Sequence, residues 1–325
     1  MLRWGLLGTA RINRLIIPAI RQSTRSEVAA VASRSEVTAA GFNAEWHIPT
    51  ITTYEGLLAD PAIDIVYVPL PNGLHAVWAT RALQAGKHVL CEKPLAITTG
   101  EVDAIVAAAE RHGRIATEGF MFRHHAQTAR IVEIVRDGAL GTLRTIASAF
   151  TFNLTRSPDV RLDATLGGGS LWDVGCYPVS MAQLLAGAPP VAVSAEQRLG
   201  PNRVDEFFAA TIEYANGVTC QFHCGFRAAY QSYLRLVGSA GVLHVERPFR
   251  PEGQPLLLQR EGGVEQILVA GNAIFADEVA DMEDAVLDVK PPRISLGESR
   301  RNVATIEALY RAAREGRRIA LTPDP

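Results

Sequence analysis

The sequence predicts two domains in series: an α/β domain on a doubly wound parallel sheet over residues 1–120, then an α+β domain with an open, mostly antiparallel sheet over residues 121–325. Three observations predict it. Through the first 120 residues short β-rich runs alternate with helical patterns, which is how βαβ units read in a sequence. After Phe120 the pattern changes, and Asn216-Gly217 between two alternating runs gives the strongest short-range signal of an antiparallel hairpin. The length, 325 residues, suits about two domains of ~150 residues each.

Taken in order, strands are expected at residues 3–7, 27–33, 63–68, 87–91 and 114–118, with helices near 12–22, 74–85 and 98–112. The run Ile63-Asp64-Ile65-Val66-Tyr67-Val68 is almost continuously apolar, as a strand covered by helices on both faces should be. A helix around 127–136 stops at Asp137-Gly138, and a long strand follows near 143–152. A loop with Pro158 and the glycines 167–169 leads into a helix at 170–185. Strands at 205–214 and 218–226 flank the hairpin turn, with others at 232–237, 242–246 and 256–260, and a helix at 298–315 closes the chain.

Composition narrows the function classes. Apolar residues make up 48% and charged residues 20%, the balance of a globular protein with a sizeable core. The formal charge of −2 offers no clustered basic face for nucleic acid. The longest uncharged stretch, 174–195, is broken by Gly175, Pro178, Gln183, Gly187, Pro189 and Pro190, so no membrane span is expected. The first residues enter a strand without the pattern of a secretory leader, and four cysteines in a chain of this length form no disulfide framework. The expected compartment is a reducing cytoplasm.

The first strand ends at Leu7 and meets Gly8-Thr9-Ala10-Arg11-Ile12-Asn13 before a helix. A tight turn there lets backbone N–H groups and the helix N-terminus hold a pyrophosphate. Gly8 is the only glycine of a G-x-G-x-x-G pattern; Ala10 and Asn13 hold the other two places, and the motif alone leaves an ordinary βα turn open. At the end of the second strand a carboxylate would bind a ribose 2′-hydroxyl, whereas Arg accommodates a 2′-phosphate. The residues there are Ser33 and Arg34, so NADP is expected over NAD.

Glu92-Lys93-Pro94 follows the fifth strand, on the sheet edge where doubly wound folds bind ligands. Lys93 there could orient a hydroxyl and favour its ionisation; position alone equally allows a surface Lys–Glu pair. Asp173 and Tyr177 are four apart on the later helix and are expected to share a face. Tyr is a plausible acid/base beside a cation, and the carboxylate could place the substrate. Asn72 reads as a helix cap, with His75 in the first turn near a nicotinamide or simply structural. Cys220, Phe222 and Cys224 alternate onto one strand face and His223 onto the other, which argues against a metal site.

Together these segments resemble the Gfo/Idh/MocA family, the glucose–fructose oxidoreductase-like dehydrogenases. The matching stretches are Trp4 to Ile12, Pro71-Asn72 with His75, Glu92-Lys93-Pro94, Glu118 to Arg123, and Gly167 to Tyr177, in family order along the whole chain. The last looks most like the branch of NADP-dependent xylose dehydrogenases and dimeric dihydrodiol dehydrogenases. The resemblance implies a Rossmann domain, hydride transfer at the carbinol carbon of a sugar or polyol, and a homo-oligomer, dimer or tetramer, formed through the outer face of the second sheet. It puts the catalytic set on Lys93, Asp173 and Tyr177. Cofactor contacts are expected at Gly8, Thr9, Ala10, Arg11, Ile12, Ser33, Arg34, Pro69, Leu70, Asn72, His75, Glu92, Lys93 and Arg123. Phe152, Asn153, Arg156, Arg161 and Trp172 are expected to line the substrate pocket with Lys93, Asp173 and Tyr177.

The first expectation is therefore an NADP-dependent dehydrogenase of an aldose such as D-xylose or D-glucose. A ketosugar or anhydrosugar reductase, or a trans-dihydrodiol dehydrogenase, would use the same catalytic set. A dinucleotide-sensing regulator has no need of Lys93 and Tyr177, and a glycosidase using bound NAD as a relay is disfavoured by Ser33-Arg34.

Overall fold

The computed structural model describes residues 1–251 and 253–321. The chain forms two compact units, one of Met1–Met121 with Phe275–Arg300, the other of Phe122–Ile274 with the chain from Arg301 onward. The expected second domain of 121–325 thus gives up Phe275–Arg300 to the first.

In the first unit the chain runs β1 (Leu2–Leu7), α1 (Asn13–Gln22), β2 (Ser26–Ala32), α2 (Glu36–Trp46), β3 (Thr50–Thr52), α3 (Tyr54–Ala59), β4 (Ile65–Val68), α4 (Asn72–Gln84), β5 (His88–Glu92), α5 (Thr99–His112) and β6 (Ala116–Gly119). All six strands are parallel, in the order β3-β2-β1-β4-β5-β6. The order reverses between β1 and β4, the switch point outside whose carboxyl ends such sheets bind ligands. Every residue of β4 is buried, the price of helices on both faces. Local chemistry fixes the helix ends. Ser35 caps α2, and α5 opens on a Thr98/Glu101 capping box and closes on Gly113 in the left-handed region.

The elements α2, β3 and α3 were not expected from the sequence. Only Ala39 of α2 is buried and β3 is a mostly exposed three-residue strand, so neither carries a hydrophobic period to read.

The chain then runs α6 (Met121–His124), α7 (Ala126–Arg136), β7 (Leu143–Asn153), two single 3₁₀ turns, a π turn (Leu171–Gly175), α8 (Cys176–Ala186), β8 (Pro190–Leu199), β9 (Asp205–Tyr214), β10 (Thr219–Gly225), β11 (Arg227–Gly238), β12 (Gly241–Glu246), β13 (Leu256–Arg260), β14 (Gly263–Ile267), α9 (Ala276–Leu287), α10 (Leu296–Glu315) and β15 (Ile319–Ala320). The second sheet orders β14-β13-β12-β11-β7-β10-β9-β8-β15, antiparallel except for the parallel β7–β10 pair. Cys220, Phe222 and Cys224 are buried on one face of β10, against the helices, while His223 lies on the other face beside Phe207.

Side-chain chemistry explains why Phe275–Arg300 returns to the first unit. Ser23 Oγ donates to Glu283 (2.5 Å), and Arg25 donates to Asp284 (2.6 Å) and Asp288 (2.9 Å), fastening α9 beside α1. Thr117 Oγ1 on β6 donates to the Ile294 carbonyl at 3.0 Å. No sequence period announces such a return.

Candidate active site

In the first unit, β1 hands the chain to Gly8 with φ at +117°, a conformation that L side chains rarely adopt. A Cβ at Gly8 would lie 3.3 Å from Leu70 Cδ2 and 3.4 Å from the Tyr54 hydroxyl, so a side chain would fill the cradle. Buried Asn13, in the place of the third glycine, donates Nδ2–H to the Gly8 carbonyl at 2.8 Å and closes the turn. Thr9, Ala10, Arg11 and Ile12 span the turn, and Ile12 takes the cap position of α1, which has no side-chain cap and no acidic residue in its first turn. The positive end of the helix is left unmasked, which fits the pyrophosphate of a dinucleotide.

At the end of β2, Ser33 Oγ donates to the Ser35 carbonyl (3.0 Å) and accepts from Ser35 N–H (3.2 Å), shaping the loop that presents Arg34. The Arg34 guanidinium stands beside the Tyr54 hydroxyl; burial pushes that phenol up against the opposing pull of the guanidinium. Tyr54 therefore joins the Gly8 turn to Arg34, with its ring edge-on to Trp78. Sequence reasoning missed Tyr54. It opens a short helix after a Thr cap, and no motif marks it.

The Lys93 loop is held at three points. Tyr67 donates to Glu92 at 2.6 Å, His75 Nδ1 lies 2.7 Å from the Pro94 carbonyl, and Leu95 N–H donates to buried Glu118 at 2.9 Å. The Lys93–Pro94 bond is cis. His75 Nε2 also faces the Leu70 carbonyl at 2.6 Å, next to buried Pro69. Burial, reinforced by the Lys93 charge, outweighs the two carbonyl contacts and pulls His75 down to about 4, so a neutral ring donates to one carbonyl at a time. Its role in this unit is to tie the β4 and β5 loops together. Asn72 is the first residue of α4 rather than its cap. Pro71 takes the extended cap position and its carbonyl accepts from Leu74 N–H. Behind the loop, Glu278 of α9 is buried with neither carboxyl oxygen paired; burial and the Glu92 charge push it well above the usual carboxylate range, favouring the neutral acid.

In the second unit the glycine-rich loop delivers the π turn. A Cβ at Gly175 would lie 2.7 Å from Leu171 Cδ1 and 2.8 Å from Cys224 Sγ, so glycine lets the turn lie against β10. The expectation of one unbroken helical face for Asp173 and Tyr177 is corrected by this π turn: Asp173 lies within it and Tyr177 in the α-helix beyond, so a 3.6-residue period does not relate them. Asp173 is 7% exposed and accepts from Arg161 Nε at 2.6 Å. Tyr177 is buried among Phe122, Phe150 and Phe249, with ring centroids 5.3 to 5.7 Å away. Arg156 and Arg161 both meet Asp159, whose role the sequence did not signal.

Other expected residues are engaged elsewhere in this unit. Trp172 is buried with its ring on Tyr310, and Phe152 is edge-on to Phe226. Asn153 is exposed at the end of β7. Arg123 is buried and donates to Ser180 of α8 at 3.0 Å. Asp205 accepts from Ser170 Oγ (2.7 Å), Leu171 N–H (2.8 Å) and Tyr310 OH (2.7 Å), anchoring the start of the π turn.

Comparison with known proteins gives the family of the fold. Residues 2–120 match the model of the GFO/IDH/MocA oxidoreductase family with its NAD-binding Rossmann fold, and residues 128–244 match that of the GFO/IDH/MocA C-terminal domain. A D-xylose 1-dehydrogenase (NADP(+)) from Haloferax volcanii is 36% identical over 98% of this chain and 99% of its own. Aldose-aldose oxidoreductase from Caulobacter crescentus, solved with glycerol, superposes with a TM-score of 0.92 at 30% identity, covering 98% of this chain and 99% of that one. A 3-ketoreductase from Actinomadura kijaniata, in complex with NADP and TDP-benzene, gives 0.91 at 34% identity over 96% and 97%.

Proposed function

The chain belongs to the GFO/IDH/MocA oxidoreductase family, and from that premise we propose that it is an NADP-dependent dehydrogenase moving hydride between the carbinol carbon of a sugar, an aldose such as D-xylose or D-glucose, and the nicotinamide. The observation that carries the cofactor assignment is the end of β2, where Ser33 shapes the loop and Arg34 offers a guanidinium in place of a carboxylate. Kinship with an NADP-dependent xylose dehydrogenase supports the same reading.

A bound nicotinamide dinucleotide supplies the hydride acceptor. Gly8 to Ile12 would hold its pyrophosphate and Arg34 its 2′-phosphate. Tyr177, as the phenolate that the Lys93 ammonium favours, takes the hydroxyl proton, and Lys93 also favours the ionised hydroxyl while Asp173 places the substrate. Kinship with a 3-ketoreductase favours a second reading, the same chemistry run toward reduction of a ketosugar. The four cysteines are free and buried, which supports a reducing cytoplasm as the compartment. Among the described residues no helix is long and apolar enough to cross a membrane.

The test is formation of reduced nicotinamide with NADP and with NAD across pentoses, hexoses, inositols and a dihydrodiol. Turnover with NADP and one sugar class is expected, and Lys93→Met or Tyr177→Phe should lower it at least ~100-fold while NADP affinity holds. Unchanged turnover in both variants removes the mechanism. Silence across the panel with NADP still bound moves the assignment to the ketosugar reductase, which the reverse reaction then checks.

A further inference from the structure

We propose that Arg161 is a positioning residue for Asp173, and that the glycine-rich loop is built to bring the two together. The function of the pair rests on the reaction proposed above; the pairing does not.

The side chains form a row of alternating charge. Arg156 donates through Nε (2.9 Å) and Nη2 (2.5 Å) to Asp159 Oδ2. Asp159 Oδ1 receives the Arg161 backbone N–H at 3.0 Å and Arg161 Nη1 at 3.4 Å. Arg161 Nε then meets Asp173 at 2.6 Å. The Asp159 side chain is fully buried and that of Asp173 is 9% exposed, while the Arg156 and Arg161 side chains are 48% and 36% exposed, so the carboxylates are withdrawn from water and the guanidiniums reach them from its edge.

The backbone is shaped to the same end. Gly169 N–H donates to the Arg161 carbonyl and Gly168 N–H to the Asp163 carbonyl, both at 2.9 Å, and Asp173 N–H donates to Gly169 O at 3.1 Å. A Cβ at Gly168 would lie 2.6 Å from the Arg161 carbonyl oxygen and 2.8 Å from that of Asp163. The glycines therefore let the Arg161 turn close onto the turn that carries Asp173. A casual surface pair requires none of this.

Two thiols and a second carboxylate lie by the π turn. The Cys224 thiol on β10 is neutral because burial drives it well up, Cys176 Sγ donates to the Asp173 carbonyl, and Asp205 is satisfied by its three donors. Arg161 is the cation that faces Asp173 from the loop. A guanidinium at this distance favours the carboxylate over the acid. The Arg161 fork spans two carboxylates, Nε on Asp173 and Nη1 on Asp159, and so holds Asp173 to accept from a substrate hydroxyl, a span that a lysine ammonium lacks.

The test reads Asp173 itself. Its carboxyl carbon, labelled through ¹³C-aspartate and assigned by the resonance lost in Asp173→Asn, is titrated by NMR in the wild type, Arg161→Gln and Arg161→Lys. NADP-linked turnover is followed against pH in parallel. In Arg161→Gln the Asp173 midpoint should rise by at least one pH unit, and the acid limb of kcat/KM should move with it. At a pH below the raised midpoint kcat should fall, approaching tenfold for a one-unit shift, while KM changes less than threefold, and Arg161→Lys should lie between. A midpoint that does not move overturns the proposal. So does a rise in KM alone with an unchanged pH profile, which would make Arg161 a substrate contact. If thermal melting shows Arg161→Gln unfolded, the Arg161→Lys titration decides: a wild-type midpoint overturns the proposal, a raised one supports it. A raised midpoint in a protein that turns over no sugar supports the pairing and removes the reaction instead.

Discussion

Replacing Arg34 by Ala leaves β2 and the Gly8 turn in place and removes the guanidinium beside Tyr54. A hydrogen bond to a charged group contributes about 1.5–3 kcal/mol. Fluorescence titration of Arg34→Ala should therefore show NADP affinity falling at least about tenfold while NAD affinity changes less than about twofold. Equal losses for both cofactors would assign Arg34 to the shared part of the dinucleotide. Ser33-Arg34 and Glu92-Lys93-Pro94 were legible in the sequence because each stands at a strand end, a place that the strand pattern itself locates. Tyr54 and Asp159 were not. Each reaches its partner through a loop whose path no hydrophobic period encodes, and the three-point hold on the Lys93 loop assembles Tyr67 from β4, His75 from α4 and Glu118 from β6.

Among the elements, the π turn and its anchor show how a helix can be expected over the right residues with the wrong internal register. The sequence pattern predicted a helix at 170–185; with the close approach to β10 that Gly175 permits, Leu171–Gly175 winds as a π turn. Asp205 holds that segment from β9, and glycine at 169 is required because a Cβ there would collide with its Oδ1. Asp205→Ala strands three donors, one of them the Leu171 N–H, in a buried site. Loss of about 3 kcal/mol is expected from such stranding. Urea unfolding followed by the fluorescence of Trp172, which packs on Tyr310, should show the midpoint fall, and an unchanged midpoint would deny the anchor its role. The hairpin at Asn216-Gly217 was readable because one dipeptide selects the turn. Neither β8 nor β14 was readable, for β8 starts at a proline and β14 is exposed along nearly its whole length.

For the molecule as a whole, the parallel first sheet and the mostly antiparallel second were legible because each imposes its own period on long stretches of chain. The outer face of the second sheet presents Ala147, Ala209, Thr211, Gln221, His223 and Tyr233, side chains small or flat enough to admit a second sheet about 10 Å away. A homo-oligomer through this face is the proposal. Light scattering should give a multiple of the chain mass, and Ala209→Arg should return it to the mass of one chain with NADP binding kept; a single-chain mass for the wild type sinks the idea. What the sequence concealed at this scale is the return of Phe275–Arg300 to the first unit, and that return sets a timetable for synthesis. A ribosome finishes residues 1–121 and then adds roughly 150 more before Phe275, a delay of roughly eight to thirty seconds at ~5–20 residues per second. Throughout it, α1 lacks the helix it is fastened to and Thr117 lacks its carbonyl. The nascent first unit must wait, half-dressed and open to chaperones, for a segment translated roughly 150 residues later.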